Sequence, residues 1–83
     1  MLELESAVET IRRLLPTEPA GTAINVLSDG SITTTEAAHA EDPQRLEPAG
    51  RQTAIAKFIA GREDGIPDRE IVDRLRTGMA ARG

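Results

Sequence analysis

The chain of 83 residues contains no cysteine, no tryptophan and no tyrosine, and Phe58 is its single aromatic residue. Without cysteine, disulfide bonds, cysteine-based zinc sites and thiol catalysis are excluded. With one aromatic residue, a surface that stacks the bases of single-stranded nucleic acid is excluded as well. A core this poor in large side chains typically yields a net stability of only ~3–5 kcal/mol, so association with a partner would stabilise the fold.

Long apolar runs are also missing. No stretch approaches the ~18 apolar residues that span a bilayer, and the first residues do not form a secretion signal. The net charge is −4 and 39% of the residues are hydrophobic, a balance that is too apolar and too weakly charged for a fully disordered chain. We therefore expect one small domain over residues 1–83 that is soluble and cytoplasmic and does not bind a membrane.

Residues that could perform catalysis or bind a cofactor are scarce. His39 is the only histidine, and Glu36 and His39 have the Glu-x-x-His spacing used in di-iron bundles. One such pair cannot complete a transition-metal site within a monomer. The sequence also lacks a glycine-rich phosphate loop and a nucleophile elbow. We predict that the protein is not an enzyme and has no catalytic residues, no cofactor and no metal.

The first segment predicts an amphipathic helix over residues 3–15, ended by Pro16. Its apolar stripe is formed by Leu4, Ala7, Val8, Ile11, Leu14 and Leu15. The stripe is wider than a short hairpin can cover, so this helix either docks on the other helices or pairs with its copy in a symmetric homodimer. Of these two arrangements we favour the dimer.

Residues 22–35 predict a two-stranded antiparallel β-hairpin. Asp29 and Gly30 lie between two runs rich in β-branched residues, which is typical of a two-residue type I′ turn. That turn pairs Leu27 with Ile32 on one face of the hairpin. Because an isolated hairpin is marginal in water, it must pack on helices or gain a strand.

The C-terminal half, residues 44–80, is predicted to be helical. Arg51–Arg62 carries apolar residues at helical spacing, including Phe58, and predicts a central helix. Pro67 or Asp68 then opens a further helix that runs to about Ala80. Its inward-facing residues are Ile71, Val72, Leu75 and Met79.

A short helix is predicted between the hairpin and this half, because residues 33–36 match a capping box before an alanine-rich stretch. The predicted fold class is therefore α+β. It comprises an N-terminal amphipathic helix, a two-stranded antiparallel β-hairpin, a short helix and two C-terminal helices.

The stretch from Gly65 to Leu75, Gly-Ile-Pro-Asp-Arg-Glu-Ile-Val-Asp-Arg-Leu, resembles part of the LuxR-type helix-turn-helix. In that family an apolar helix, here ending at Ile59-Ala60, is followed by a glycine turn and a helix of the pattern Ser-Asn/Asp-Arg-Glu-Ile-Ala-x-x-Leu. Pro67 replaces the serine and Val72 the alanine, and the turn is longer. The residues after Leu75 are too few for the recognition helix. The resemblance therefore implies a helical pair of similar packing and no DNA recognition.

Charge is unevenly distributed along the chain. Residues 1–43 carry eight acidic and two basic residues, whereas residues 44–83 carry six acidic and eight basic ones. Acidic groups on one surface can occupy a basic nucleic-acid channel. We therefore predict a small acidic protein–protein interaction module, of the type of phage or mobile-element inhibitors and adaptors, that acts on a basic, nucleic-acid-handling host protein. The candidate partner-binding residues are Glu5, Glu9, Glu18, Glu36, Glu41 and Asp42.

Two alternative functions stay open. The basic C-terminal half suits a DNA-associated transcriptional regulator or antitoxin that contacts phosphates, and such binding would weaken steeply with salt. Its candidate nucleic-acid contacts are Arg51, Arg62, Arg69, Arg76 and Arg82. The other alternative is an accessory or structural protein whose acidic residues only keep it soluble.

Overall fold

A computed structural model describes residues 3–39 and 54–82. Its elements in chain order are α1 (Leu4–Thr17), β1 (Thr22–Leu27), β2 (Ile32–Glu36), a 3₁₀ helix (Ala37–His39), β3 (Ala54–Ile59) and α2 (Asp68–Arg82). The strands form one antiparallel sheet in the order β2–β1–β3. The predicted α+β class is confirmed, whereas the two-stranded hairpin and the pair of C-terminal helices are wrong in detail.

α1 is the helix that the apolar stripe predicts. The buried members of the stripe are Ala7, Val8, Ile11 and Leu15. Complete burial of a side chain such as Ile11 contributes about 1.5–3 kcal/mol. The end of the helix differs from the prediction, because Pro16 lies within its last turn. The amide of Glu18 donates to the carbonyl oxygen of Leu14 at 2.9 Å and closes that turn.

β1 and β2 form the predicted hairpin in a register that differs by one residue. Val26, and not Leu27, lies opposite Ile32. The loop therefore holds three residues instead of two. The amide of Gly30 donates to the carbonyl oxygen of Leu27 at 2.9 Å, and Gly30 has a φ of 96°. These features are typical of a type I turn followed by a glycine bulge.

The predicted type I′ turn is wrong because it needs positive φ at both central residues, and Asp29 has a negative φ. The Asp29 side chain instead accepts a hydrogen bond from the backbone amide of Ser31, at 2.9 Å. Such a bond from the amide two residues later to an aspartate stabilises the turn locally.

The central helix predicted for Arg51–Arg62 is also wrong, because Ala54–Ile59 forms β3 and pairs with β1. Phe58 lies opposite Ile24, and both are fully buried. A bulge leaves Ile55 without a cross-strand partner, and its side chain is buried too. The hairpin thus gains the third strand that an isolated hairpin needs for stability.

α2 begins directly after Pro67, as predicted, and buries Ile71 and Leu75. Met79 was predicted to face inward, but it is 40% exposed. The reason lies one residue earlier in the helix. A Cβ atom at Gly78 would overlap the carbonyl oxygen of Ile55, so Gly78 is the residue that faces β3 in this turn.

The short helix predicted after the capping box is a 3₁₀ helix of three residues, Ala37–His39, and residues 33–36 belong to β2. Residues 40–53, which include the start of the predicted helical half, lie outside the described residues.

Both helices pack on one face of the sheet and share a single core with it. The largest fully buried side chains are Phe58, Ile11, Ile24, Ile71, Leu75 and Val26. The helical pair implied by the LuxR-type resemblance does not form, because Ile59 ends a strand and not a helix. The apolar stripe of α1 is covered within the chain. The homodimer through α1 stays a prediction, but the core of the same chain already covers the apolar stripe on which that prediction was based.

Candidate functional site

A shallow groove of about 280 Å³ lies between the two helices and is termed here the α1–α2 groove. Its lining residues are Glu5, Val8, Glu9, Arg12, Asp68 and Val72. Three of these are acidic, two are apolar and one is basic. Its volume lies near the lower end of the ~300–1,000 Å³ range of ordinary small-molecule pockets.

Helical spacing places these side chains together. Glu5 and Glu9 are four residues apart on α1, as are Asp68 and Val72 on α2, so each pair lies on one face of its helix. Val8 is buried against the core and forms part of the groove's apolar lining.

An ion pair links the two helices across the groove. Nη1 of Arg12 lies 3.2 Å from Oδ2 of Asp68, and these side chains are 61% and 50% exposed. A pair so exposed is worth only about 0–1 kcal/mol. Its main consequence is electrostatic, because Asp68 engages the one cation among the residues that line the groove.

Glu5 and Glu9 are left without a cation. Both are exposed, and within residues 3–39 and 54–82 neither forms an ion pair. Like charges four residues apart destabilise a helix by about 0.2–0.5 kcal/mol. Glu5 and Glu9 thus place two carboxylates without an ion-pair partner, among the described residues, on one side of the groove.

A second groove of about 290 Å³ meets the first at Arg12. Its lining residues are Arg12, Leu15, Pro16, Asp64, Gly65 and Ile66. It adds a further carboxylate, that of Asp64, and a mainly apolar wall.

The remaining predicted acidic residues do not join the groove. Glu18 follows α1, and Glu36 ends β2. Oε2 of Glu36 lies 3.5 Å from Nε2 of His39, and both side chains are largely exposed. Glu41 and Asp42 lie outside the described residues. Of the six acidic candidates, the structure thus brings together Glu5 and Glu9.

Two of the predicted nucleic-acid contacts, Arg69 and Arg76, lie seven residues apart on one face of α2. Arg62 lies in the turn after β3, and Arg69 and Arg76 are exposed on α2 with the acidic Asp73 between them in sequence. Arg82 is the last residue of α2. Arg51 lies outside the described residues.

A polar network that the sequence did not suggest caps the outer edge of β3 at its last residue. Oε2 of Glu63 accepts a hydrogen bond from the amide of Ile59 at 2.7 Å, and its Oε1 lies 2.8 Å from Nη1 of Arg74. Arg74 also reaches Glu70 at 3.4 Å, and its guanidinium lies 5.0 Å from the centre of the Phe58 ring. One arginine therefore connects α2, β3 and the turn between them.

The opposite face of the sheet carries a buried polar side chain. Asn25 is 5% exposed, and its Nδ2 donates to Oγ1 of Thr35 at 3.1 Å. Its Oδ1 has no hydrogen-bond partner among the residues that the structure describes. The hydrogen bond from Asn25 to Thr35 links β1 to β2 on this face.

Comparison with protein-family models, curated proteins and solved structures finds no match to this chain. Within residues 3–39 and 54–82, no three histidine or acidic side chains cluster as metal ligands. In the same residues, neither helix has the length and apolar character that a bilayer-spanning segment requires.

Proposed function

We propose that the protein acts by contact, as a small non-catalytic interaction module, and that its α1–α2 groove binds a basic segment of another protein. The observation that carries this proposal is the absence of an ion-pair partner for Glu5 and Glu9, within the described residues, in the α1–α2 groove. The acidic first half of the chain, which contains both residues, supports the same preference for a basic partner.

The two kinds of side chain in the groove have separate roles in the proposal. The carboxylates of Glu5 and Glu9 attract lysine or arginine side chains and speed their encounter with the groove. The half-buried Val72 supplies apolar surface, whose burial against a partner contributes about 25 cal/mol per Å². The partner best suited to this surface is an amphipathic segment with basic and apolar residues on adjacent positions.

A titration with a defined peptide tests the proposal. The ¹⁵N-labelled protein is titrated with a synthetic amphipathic peptide that carries lysine on one face and leucine on the other, and amide shifts are followed by NMR. The expected result is saturable shifts at Glu5, Val8, Glu9 and Val72, with an affinity that falls as salt rises.

Two double variants with equal charge change provide the control. Glu5→Gln with Glu9→Gln should weaken binding of the peptide by up to about thirtyfold, because each exposed ion pair is worth up to about 1 kcal/mol, whereas Glu18→Gln with Glu36→Gln should leave it within a factor of about two. Equal losses in both variants would contradict the proposal, because they would indicate attraction by net charge alone.

The same titration with duplex DNA tests the regulator alternative. No binding is expected, because the groove is acidic and the exposed arginines are interspersed with acidic residues. DNA binding that weakens steeply with salt and involves Arg69 and Arg76 would overturn the proposal in favour of a nucleic-acid function.

A further inference from the structure

β2 is an edge strand that stands apart from the core. Four of its five residues are exposed, and only Ile32 packs partly against the core. Its side chains are those of Ile32, three threonines and Glu36, with none of the lysine or proline residues that commonly protect edge strands. Glu36, at the end of the strand, is its one charged residue.

The hydrogen bonds of the hairpin determine which groups of β2 face outward. The amide of Leu27 donates to Ser31, and the amide of Ala37 donates to Gly21. Since inward and outward residues alternate in an antiparallel pair, residues 33 and 35 also face β1. The N–H and C=O groups of Ile32, Thr34 and Glu36 therefore point away from the sheet. None of these outward groups has a hydrogen-bond partner among the described residues.

We propose that a second copy of this chain pairs with this edge, so that two β2 strands run antiparallel around a two-fold axis at Thr34 and the two sheets become one. The outward groups single out this register. Thr34 pairs with its own copy and Ile32 pairs with Glu36 at each end, so all three outward residues form two hydrogen bonds with their partners. A shift of the axis to Thr33 or Thr35 leaves one outward residue of each copy outside the β2 pairing.

The side chains fit the same register. Thr34 lies opposite Thr34 of the second copy, and Thr33 lies opposite Thr35, which are cross-strand pairs that stabilise sheets. The two Glu36 carboxylates lie at opposite ends of the paired strands, about 14 Å apart along the strand direction. That spacing exceeds the Debye length of ~8–10 Å at physiological salt, so their repulsion is largely screened.

The proposal differs in its surface from the α1–α2 groove, and neither depends on the other. It also differs from a dimer through α1, because it leaves the apolar stripe of α1 in the core of its own chain. An interface made by one short strand is small, so a weak, concentration-dependent dimer is expected.

Sedimentation across about a hundredfold dilution of the full chain gives the first test. The expected mass rises with concentration from 8.9 kDa towards twice that value. Thr34→Pro should abolish the rise, because its amide points outward and its loss spares the hydrogen bonds to β1. Thr34→Ser, which keeps the amide, should dimerise as the parent does. A constant monomer mass, or a dimer unaffected by Thr34→Pro, would overturn the proposal.

Cross-linking tests the register and does not depend on the proline variant folding. The natural chain has no cysteine, so a single introduced thiol is unambiguous. Thr34→Cys places two Cα atoms about 5.5 Å apart across the axis, within the range of a disulfide. Thr33→Cys places them at a diagonal spacing of about 7–8 Å, at or beyond the limit. Mild oxidation should form a covalent dimer much faster for Thr34→Cys, and equal or reversed rates would refute the two-fold axis at Thr34.

Discussion

The two edges of the sheet are built in opposite ways. At β3, the Glu63 carboxylate caps the outward amide of Ile59, and α2 packs against the carbonyl of Ile55 at Gly78. At β2, the outward groups of Ile32, Thr34 and Glu36 have no such partner among the described residues, and most side chains are exposed. Unpaired edges invite pairing with another strand. β3 is capped at Ile59 and carries Lys57, a residue type that commonly protects edge strands, whereas β2 has neither feature, so association is expected at β2.

The two edge strands also differ in how much they contribute to the core and therefore to the stability of the fold. β3 carries Phe58 and Ile55 into the core and contacts both helices, whereas β2 contributes only the partly buried Ile32. We therefore expect substitutions on the β3 side to lower the free energy of unfolding strongly. Substitutions along β2 should change association more than stability.

The largest effect is expected for Phe58→Ala. Phe58 is fully buried and is the largest side chain of the core, and its truncation should lower the free energy of unfolding by about 3–5 kcal/mol. In a domain this small, that loss is comparable to the whole stability, so urea denaturation followed by circular dichroism should show an unfolded or barely folded chain. Thr33→Ala on β2 is the control, with an expected change within about 0.5 kcal/mol. Similar losses in the two variants would remove the contrast between the strands.

The second largest effect is expected for Gly78→Ala, and its sign is opposite to that of most glycine-to-alanine changes in helices. Replacing a glycine inside a helix by alanine normally stabilises it by about 1 kcal/mol. At Gly78 the new Cβ would overlap the Ile55 carbonyl oxygen, so α2 would have to move away from β3. We expect Gly78→Ala to destabilise the protein by about 1–3 kcal/mol, as measured by urea denaturation. Thr77→Ala, at an exposed neighbouring position, should be neutral or slightly stabilising. A more stable Gly78→Ala variant would contradict the close packing of α2 on this edge.

The third prediction concerns the Glu63 carboxylate, which caps β3 at Ile59. Glu63→Ala removes the partner of the Ile59 amide and the ion pair with Arg74, at a cost of about 1–3 kcal/mol. The Ile59 amide should then exchange its hydrogen much faster, as measured by NMR. Asp64→Ala, an exposed acidic neighbour in the same turn, should leave both quantities nearly unchanged. Unchanged exchange at Ile59 in the Glu63 variant would show that the carboxylate does not close the edge.

The sequence predicted the helices better than the third strand. α1 and α2 each keep apolar residues at helical spacing, and both were found near their predicted bounds. In β3, Ala54, Ile55 and Ala56 are buried in succession because a bulge removes the alternation typical of strands. Its alanines favour helix, and a short apolar run is compatible with either structure. The β-branched Ile55 and Ile59 near Phe58, followed by Gly61, were the available signals for a strand.

The candidate site was predicted only in part. Composition indicated an acidic first half, and helical spacing was enough to place Glu5 and Glu9 on one face of α1. Helical spacing could not predict the ion pair between Arg12 and Asp68, because these residues are far apart in sequence. The sequence could not predict the hydrogen bond from the Ile59 amide to Glu63 either. That amide faces outward only because β3 is an edge strand, and the sequence did not predict β3.

The smallest effect is expected at the turn that leads into β2. The backbone amide of Ser31 donates to the Asp29 carboxylate, as does the Ser31 hydroxyl, and these bonds hold the pKa of Asp29 below its usual value of 3.8. A carboxyl with a lowered pKa in the folded state stabilises the fold above its unfolded pKa, and this contribution is lost as the pH falls through the folded pKa. Asp29→Asn keeps an oxygen that can accept the Ser31 amide but removes the ionisation. The difference in urea midpoint between the parent and this variant should therefore be constant near neutral pH and shrink below about pH 4. Asp73→Asn is the matched change at an exposed carboxyl on α2, for which no such bond is present in the described structure. If the difference between the parent and the Asp29→Asn variant grows on acidification, the Asp29 carboxylate does not stabilise the turn.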